Sequence, residues 1–284
     1  MNNLTDMSIF NRTSFRISEL VTREYSTSFY SATRLLQPEI REATFSVYGF
    51  VRFADEIVDT LHEHNKEYLL TKFENDYYEA SRDGVSLNPI LHSFQLTVKK
   101  YGIDDRHVQA FLKSMREDLT RKNYDTVEEM NGYIYGSADV VGLMCLKVFC
   151  RGNADLYNKL EAPAMRLGSA FQKVNFLRDL GNDLNHLDRR YFPELVRDSF
   201  DEEAKTNIIL NIEDDFKEAL AGIRQLPGDA KLAVTLAYLY YLTLLKKLKH
   251  TPARKILSVR IRTSDTRKWL IVLKAIVYNK LSII

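Results

Sequence analysis

The 284 residues include only 11 Gly and 6 Pro, about half the usual share of helix-breaking residues. Strand-rich sandwiches and barrels need a turn every ~8–12 residues, so this scarcity excludes them, together with collagen-like and low-complexity chains. With 45% apolar residues the chain can fill a large core, and a net charge of +2 gives no electrostatic case for a nucleic-acid partner.

The breakers and caps predict about ten helical segments, no strand hairpin and one all-α domain over residues 1–284. The first segment, MNNLTDMSIFNRTSF, lacks the basic start and continuous apolar core of a secretion signal. No run approaches ~18 apolar residues, so no membrane-spanning helix is expected and the location is read as cytoplasmic.

The next informative segment is Ala43 to Leu61. Its apolar residues cover most of the helix surface, the pattern of a buried helix, yet Tyr48, Arg52, Asp55 and Asp59 follow at spacings of four, three and four and form one polar stripe. Two carboxylates one turn apart repel, and the penalty grows as water is removed unless a cation lies between them. Turns are expected at Arg82–Pro89 and Tyr101–Asp105, and a long apolar run from near Val127 ends at Arg151–Asp155. Cys145 and Cys150, five apart in that run, read as buried free thiols rather than metal ligands.

The acidic stripe then recurs. Gln172, Asn175, Asp179 and Asp183 are spaced three, four and four, among apolar residues on the other faces. These two segments are the only places where Asp is followed by Asp four residues on, and each carries an arginine, Arg52 or Arg178. Facing each other across a cavity, the stripes would offer hard oxygen ligands suited to Mg²⁺, with Mn²⁺ as the substitute. None of the six His has a zinc-ligand spacing, and no phosphate-binding glycine loop occurs. Turns follow at Tyr191–Pro193 and Gln225–Ala230. From Lys246 onward there are eleven Lys and Arg against one acid, so this tail carries +10 and the rest of the chain −8.

The segments YSTSFYSATRLLQPEIREATFSVYGFVRFADEIVD, YIYGSADVVGLM and QKVNFLRDLGNDLNHLDRRYFP resemble, in order and spacing, the squalene/phytoene synthase family of head-to-head prenyl transferases. The resemblance implies an all-α isoprenoid (terpenoid) synthase fold around a central cavity, with Mg²⁺-dependent joining of two allylic prenyl diphosphates. It implies that Asp55 and Asp59, and Asp179 and Asp183, are metal-binding pairs, with Asn175 an amide ligand. By the same resemblance Arg52 and Arg178 face the diphosphate, Gln172, one turn before Asn175, is a substrate-binding residue, Tyr48 and Tyr133 line the cavity, and Ser26, Thr27 and Ser28 form a substrate-contacting segment. Three features depart from the family pattern: Tyr25 stands where a His is usual, Asp139 stands before Val140 where a glycine pair is usual, and the region before Tyr191 lacks a frequent Gly-Arg.

Similarity to bacterial carotenoid-type members implies two geranylgeranyl diphosphates as substrates, a cyclopropyl-carbinyl diphosphate intermediate and 15-cis-phytoene as product. NADPH is not expected. The alternative is squalene or dehydrosqualene from farnesyl diphosphate, and a third reading is a non-catalytic helical scaffold. Thr33, one turn after Phe29, is expected to leave a tunnel open for a long chain. The tail segment Arg267 to Leu281 is read as a final core helix with a solvated basic face, peripheral membrane contact being the lesser reading. A monomer or a homodimer is compatible with the sequence.

Overall fold

The computed structural model describes residues 6–187, 189–196, 200–280 and 284; the side chains at 186–187, 196, 265–269 and 279–280 lie outside the description. Among the described residues there is no β-strand, only an isolated bridge between Asn123 and Arg190. The helices in the first half are α1 (Asp6–Tyr25), α2 (Thr27–Thr33), α3 (Pro38–Asp59), α4 (Lys66–Asp83), α5 (Pro89–Tyr101) and α6 (Asp105–Glu117). They are followed by α7 (Val127–Ile134), α8 (Val140–Cys150), α9 (Ala154–Asn182), α10 (Glu202–Ile223), α11 (Gly228–Lys249), α12 (Ala253–Ile256) and α13 (Asp265–Lys280).

Short polar side chains set the boundaries by accepting the unpaired backbone N–H groups of a helix's first turn. Ser26 caps α2, Asn65 α4, Asn88 α5, Asp104 α6, Asn153 α9 and Asp201 α10. At α7 the cap is reciprocal: Thr126 Oγ1 accepts from Glu129 N at 3.2 Å while Glu129 Oε2 accepts from Asp125 N at 2.9 Å. Gly84 and Gly102 end α4 and α5 in the left-handed region, with φ of 74° and 62°.

Two predicted helices are interrupted where the site lies. The apolar run from Val127 is α7, a π-helical turn at Tyr135–Asp139 and α8. A Cβ on Gly136 would collide with the Ser114 hydroxyl and stand 2.7 Å from the carbonyl oxygen of Ala110, so the wide turn is pressed directly against α6. The end of α9 widens similarly into a π-helical turn, Asp183–Leu187, which carries Asp183 past the regular helix. By length and composition Val127–Cys150 is apolar enough to cross a membrane, which corrects the expectation that no segment is; 61% of its apolar window is buried inside the protein.

Two large apolar clusters form the core. One is built on α3–α6 and α8, around Phe50, whose ring stacks on Phe94 at 4.0 Å; the other is built on α7 and α9–α13. Between them α3 and α9 face each other across a tunnel to which both contribute lining residues.

Candidate active site

The tunnel has a volume of about 290 Å³ and is almost wholly apolar. It is lined by Phe29, Ala32 and Thr33 of α2, Val47 and Val51 of α3, and Val141 and Cys145 of α8. Leu160, Pro163, Ala164, Leu167 and Phe171 of α9, with residues of α10 and α11, complete the lining. Gly142 and Gly168 are on its wall, and a Cβ on Gly168 would meet the Ala138 carbonyl oxygen at 2.9 Å. Two other glycines near the motifs are not: Gly49 packs against Ser18 and Ile90, and Gly136 against α6. Burial pushes the Cys145 thiol up to about 12, so it is an inert wall residue. Tyr48 and Gln172 mark the polar end, and the Tyr48 ring stacks on Phe29 at 4.9 Å. Burial pushes the Tyr48 phenol up to about 12, which keeps it neutral and able to donate.

One turn beyond Tyr48 the acids begin. Arg52 Nη1 donates to Asp55 Oδ2 at 2.6 Å, its other terminal nitrogen pairs with Glu56, and its guanidinium lies 4.4 Å from the Tyr25 ring centroid. The tyrosine that replaces the usual His thus covers the arginine by a cation–π contact. Asp59 accepts from Arg189 Nη1 at 3.1 Å, and Arg189 Nη2 also holds the backbone carbonyl of Asp118 at 3.1 Å. Across the cavity Arg178 pairs with Asp179, and Arg260 reaches the same carboxylate at 2.8 Å.

Two of the four acids are held above the ordinary carboxylate range. The Asp55 carboxyl is pushed up to about 6 by burial and then by Asp59. Asp183 is pushed up to about 7 by burial, by Asp179 and by Asp59 on the opposite helix. Asp59 and Asp183 therefore sense each other's charge across the cavity. Asp118, at the end of α6, is pushed up to about 7 by burial; its Oδ2 accepts from the Tyr133 hydroxyl at 2.9 Å, and its Oδ1 has no partner.

Two further buried atoms are orphaned at this end of the tunnel, the Nε donor of Arg52 and the Oδ1 acceptor of Asn175. An unpaired carbonyl oxygen one helical turn before Asp179 is a hard ligand awaiting a cation, and an unpaired guanidinium N–H is a donor awaiting an anion. The donor set therefore fits divalent cations of the Mg²⁺ type. Among the described residues no three carboxylate, imidazole or thiol groups already converge on one point. Asp55, Asp59 and Asp179 are each drawn toward arginines, Arg52, Arg189 and Arg178 with Arg260, which accounts for this spread.

Beside the acids lies a second, polar pocket of about 340 Å³, lined by Tyr25, Ser26, Thr27, Ser28, Arg178, Tyr240, Tyr241, Arg260 and Arg262. The residues Ser26, Thr27, Ser28 and Arg178, singled out from two distant segments, meet here. Tyr241 joins the two cavities: it lines the polar pocket, and its ring stacks at 3.9 Å on Phe171 of the tunnel wall. Tyr133 lines neither cavity. It is buried among Tyr124, Phe176 and Tyr191, with its hydroxyl on Asp118.

Sequence reasoning missed Arg189, Arg260, Arg262, Asp118 and Tyr241. The arginines sit in unpatterned stretches, where their only signal was the positive excess of the tail and the basic pair Arg189–Arg190. Asp118 looked like an ordinary helix-end acid.

The family model described as squalene/phytoene synthase matches residues 22–267. A phytoene synthase of Arthrospira platensis is 30% identical over 191 residues, covering 63% of this chain and 61% of the relative. A 15-cis-phytoene synthase of Synechocystis is 29% identical over 255 residues, covering 80% of this chain and 74% of the relative. The chain thus spans less than two thirds of the Arthrospira protein, and only 41% of a chloroplast phytoene synthase of Zea mays that is 32% identical to it. Among solved structures, a dehydrosqualene synthase superposes with a TM-score of 0.80 at 21% identity, covering 95% of this chain and 98% of that one. A squalene synthase from Alicyclobacillus acidocaldarius gives 0.74 at 19% identity, over 87% and 96%. At these identities the superpositions establish the all-α isoprenoid synthase fold. With the family match extending from α1 into α13, this chain belongs to the squalene/phytoene synthase family.

Proposed function

We propose that the protein is a head-to-head prenyl transferase that joins two geranylgeranyl diphosphates, through a cyclopropyl-carbinyl diphosphate, into 15-cis-phytoene. The observation that carries this reading is the junction of a dry apolar tunnel with a mouth that holds both carboxylates raised above their ordinary range and clustered arginines. The relatives named phytoene synthase support the C20 substrate. The small Thr33 on the tunnel wall supports it too, because a bulky side chain there would shorten the space for the chain.

Losing diphosphate from an allylic carbon separates charge. Mg²⁺ or Mn²⁺ held by Asp55, Asp59, Asn175, Asp179 and Asp183 would neutralise the leaving group as a Lewis acid. The chain's own residues do the rest. Arg52 and Arg178, with Arg260 and Arg262 beside them, hold diphosphate oxygens through charge-assisted hydrogen bonds. Ser26, Thr27 and Ser28 close the other side of that pocket, and Gln172 and Tyr48 mark the boundary where the polar head gives way to the chain. The allylic cation would react with any water present, so its surroundings must be dry; Phe29, Phe171 and Tyr48 exclude water and offer ring faces to positive charge.

The test is diphosphate release from geranylgeranyl diphosphate by Asp55→Ala and Asp179→Ala, alongside Mn²⁺ binding to each free protein followed by electron paramagnetic resonance. Each substitution should lower the rate by roughly 10²–10³ and weaken Mn²⁺ binding. Retained turnover in both variants would remove the assignment.

A further inference from the structure

The last helix has two apolar faces. On α13, Ile271 and Ala275 are buried against α11, while Leu270, Leu273 and Val277 are 61%, 60% and 49% exposed. At about 100° per residue the exposed three form one stripe, on the side of the helix roughly opposite the buried pair. Among the described side chains the outward face thus carries an apolar stripe with Lys274 exposed beside it; of the stretch expected to form a solvated basic face, residues 267–269 and 279–280 are described by backbone only and 281 lies outside the description, so the positions of Arg267, Lys268 and Lys280 in that expectation lie outside the described side chains.

We infer that this stripe is an interfacial anchor that lays α13 into the headgroup region of an anionic bilayer. Lys274 is exposed at the edge of the stripe, the position from which a long cationic side chain keeps its charge at the headgroups while its stem lies along apolar surface. Lys246, Lys247, Lys249, Arg254 and Lys255, which precede α13, are exposed as well. The +10 charge of residues 246–284 complements a negative lipid surface. The same charge disfavours a second copy as the occupant: a two-fold contact sets each patch against itself and opposes +10 with +10. The helix also begins three residues after Arg262 of the polar pocket, so a lipid-bound α13 would hold the cavity mouth near the bilayer.

The experiment is flotation of the full chain with vesicles of phosphatidylcholine alone or mixed with phosphatidylglycerol. The protein should float with the mixed vesicles, and less so in high salt. Replacing Leu270, Leu273 and Val277 together by Gln should reduce the bound fraction about tenfold, with the melting temperature unchanged because the three side chains are already exposed. If that variant loses its fold, Leu273→Glu alone, which sets a carboxylate against the anionic headgroups, should still weaken binding several-fold. A wild type that does not float, or a folded variant that floats as well as wild type, overturns the inference. So does a wild-type dimer that the triple substitution dissociates, since the stripe would then belong to a protein–protein contact.

Discussion

Single side chains account for the electrostatic character of the site, and one buried acid outside the metal motifs allows a clean test of it. Asp139, where the family has a small residue, is buried in the π-helical turn and accepts from Ser169 Oγ at 2.9 Å. Burial pushes its carboxyl up to about 7; the Ser169 bond, Lys173 and Arg166 act the other way, and Asp215 adds to the rise. Lys173 itself is buried on Asp215 at 2.7 Å and on Asn211 at 2.7 Å. Because folded Asp139 holds its proton more tightly than the unfolded chain, its contribution to stability is present at acid pH and is lost as the pH rises from about 4 to about 7. Asp139→Asn keeps an acceptor for Ser169 and removes the titration. Thermal unfolding should show the variant more stable by about 1–3 kcal/mol near pH 8, the gain fading toward pH 4. A gain equal at both pH values would mean that the carboxyl is not strained by its burial.

At the scale of elements, the sequence made the helices legible because caps and breakers act locally. The turns expected at Arg82–Pro89, Tyr101–Asp105, Arg151–Asp155 and Gln225–Ala230 coincide with the gaps between α4 and α5, α5 and α6, α8 and α9, and α10 and α11. The two aspartate stripes were legible for the same reason: spacings of three and four place residues on one face wherever the chain is helical. The two π-helical turns were not legible, because they depend on contacts distant in sequence, such as Gly136 on α6. Nor were Arg189 and Arg260 as partners of Asp59 and Asp179, because an arginine in an irregular segment carries no periodicity.

Close contacts of this kind define where α9 ends. A Cβ on Gly181 would overlap the Leu257 carbonyl oxygen and stand 2.6 Å from its carbon, so backbone at the end of α12 would have to move. Gly181→Ala should therefore destabilise the protein by about 2 kcal/mol, lowering the melting temperature by roughly 4–8 °C. Gly132→Ala in α7, with nothing within 4 Å of the added carbon, should be neutral or slightly stabilising. Equal melting temperatures for the two variants would contradict the close packing of α9 on α12.

Over the whole molecule, the near-neutral charge resolves into an acidic body and a basic end. Four acids of that body, Asp55, Asp59, Asp179 and Asp183, lie on the two stripes at the tunnel mouth, where the proposed function puts substrate phosphates and cations. Part of the basic end lines the polar pocket at that mouth through Arg260 and Arg262, and Lys274 stands exposed on α13 beside the apolar stripe. The sequence showed the polarity but not its division, because only the fold decides which cations turn toward the cavity. In the proposed function the tunnel takes a C20 chain and the acidic mouth joins two of them. The most direct measurement gives the purified protein equal amounts of farnesyl and geranylgeranyl diphosphate with Mg²⁺, with and without NADPH, and identifies the hydrocarbon by mass spectrometry. The expected product is 15-cis-phytoene in both mixtures; squalene or dehydrosqualene as the main product, or no hydrocarbon at all, would contradict the proposed function.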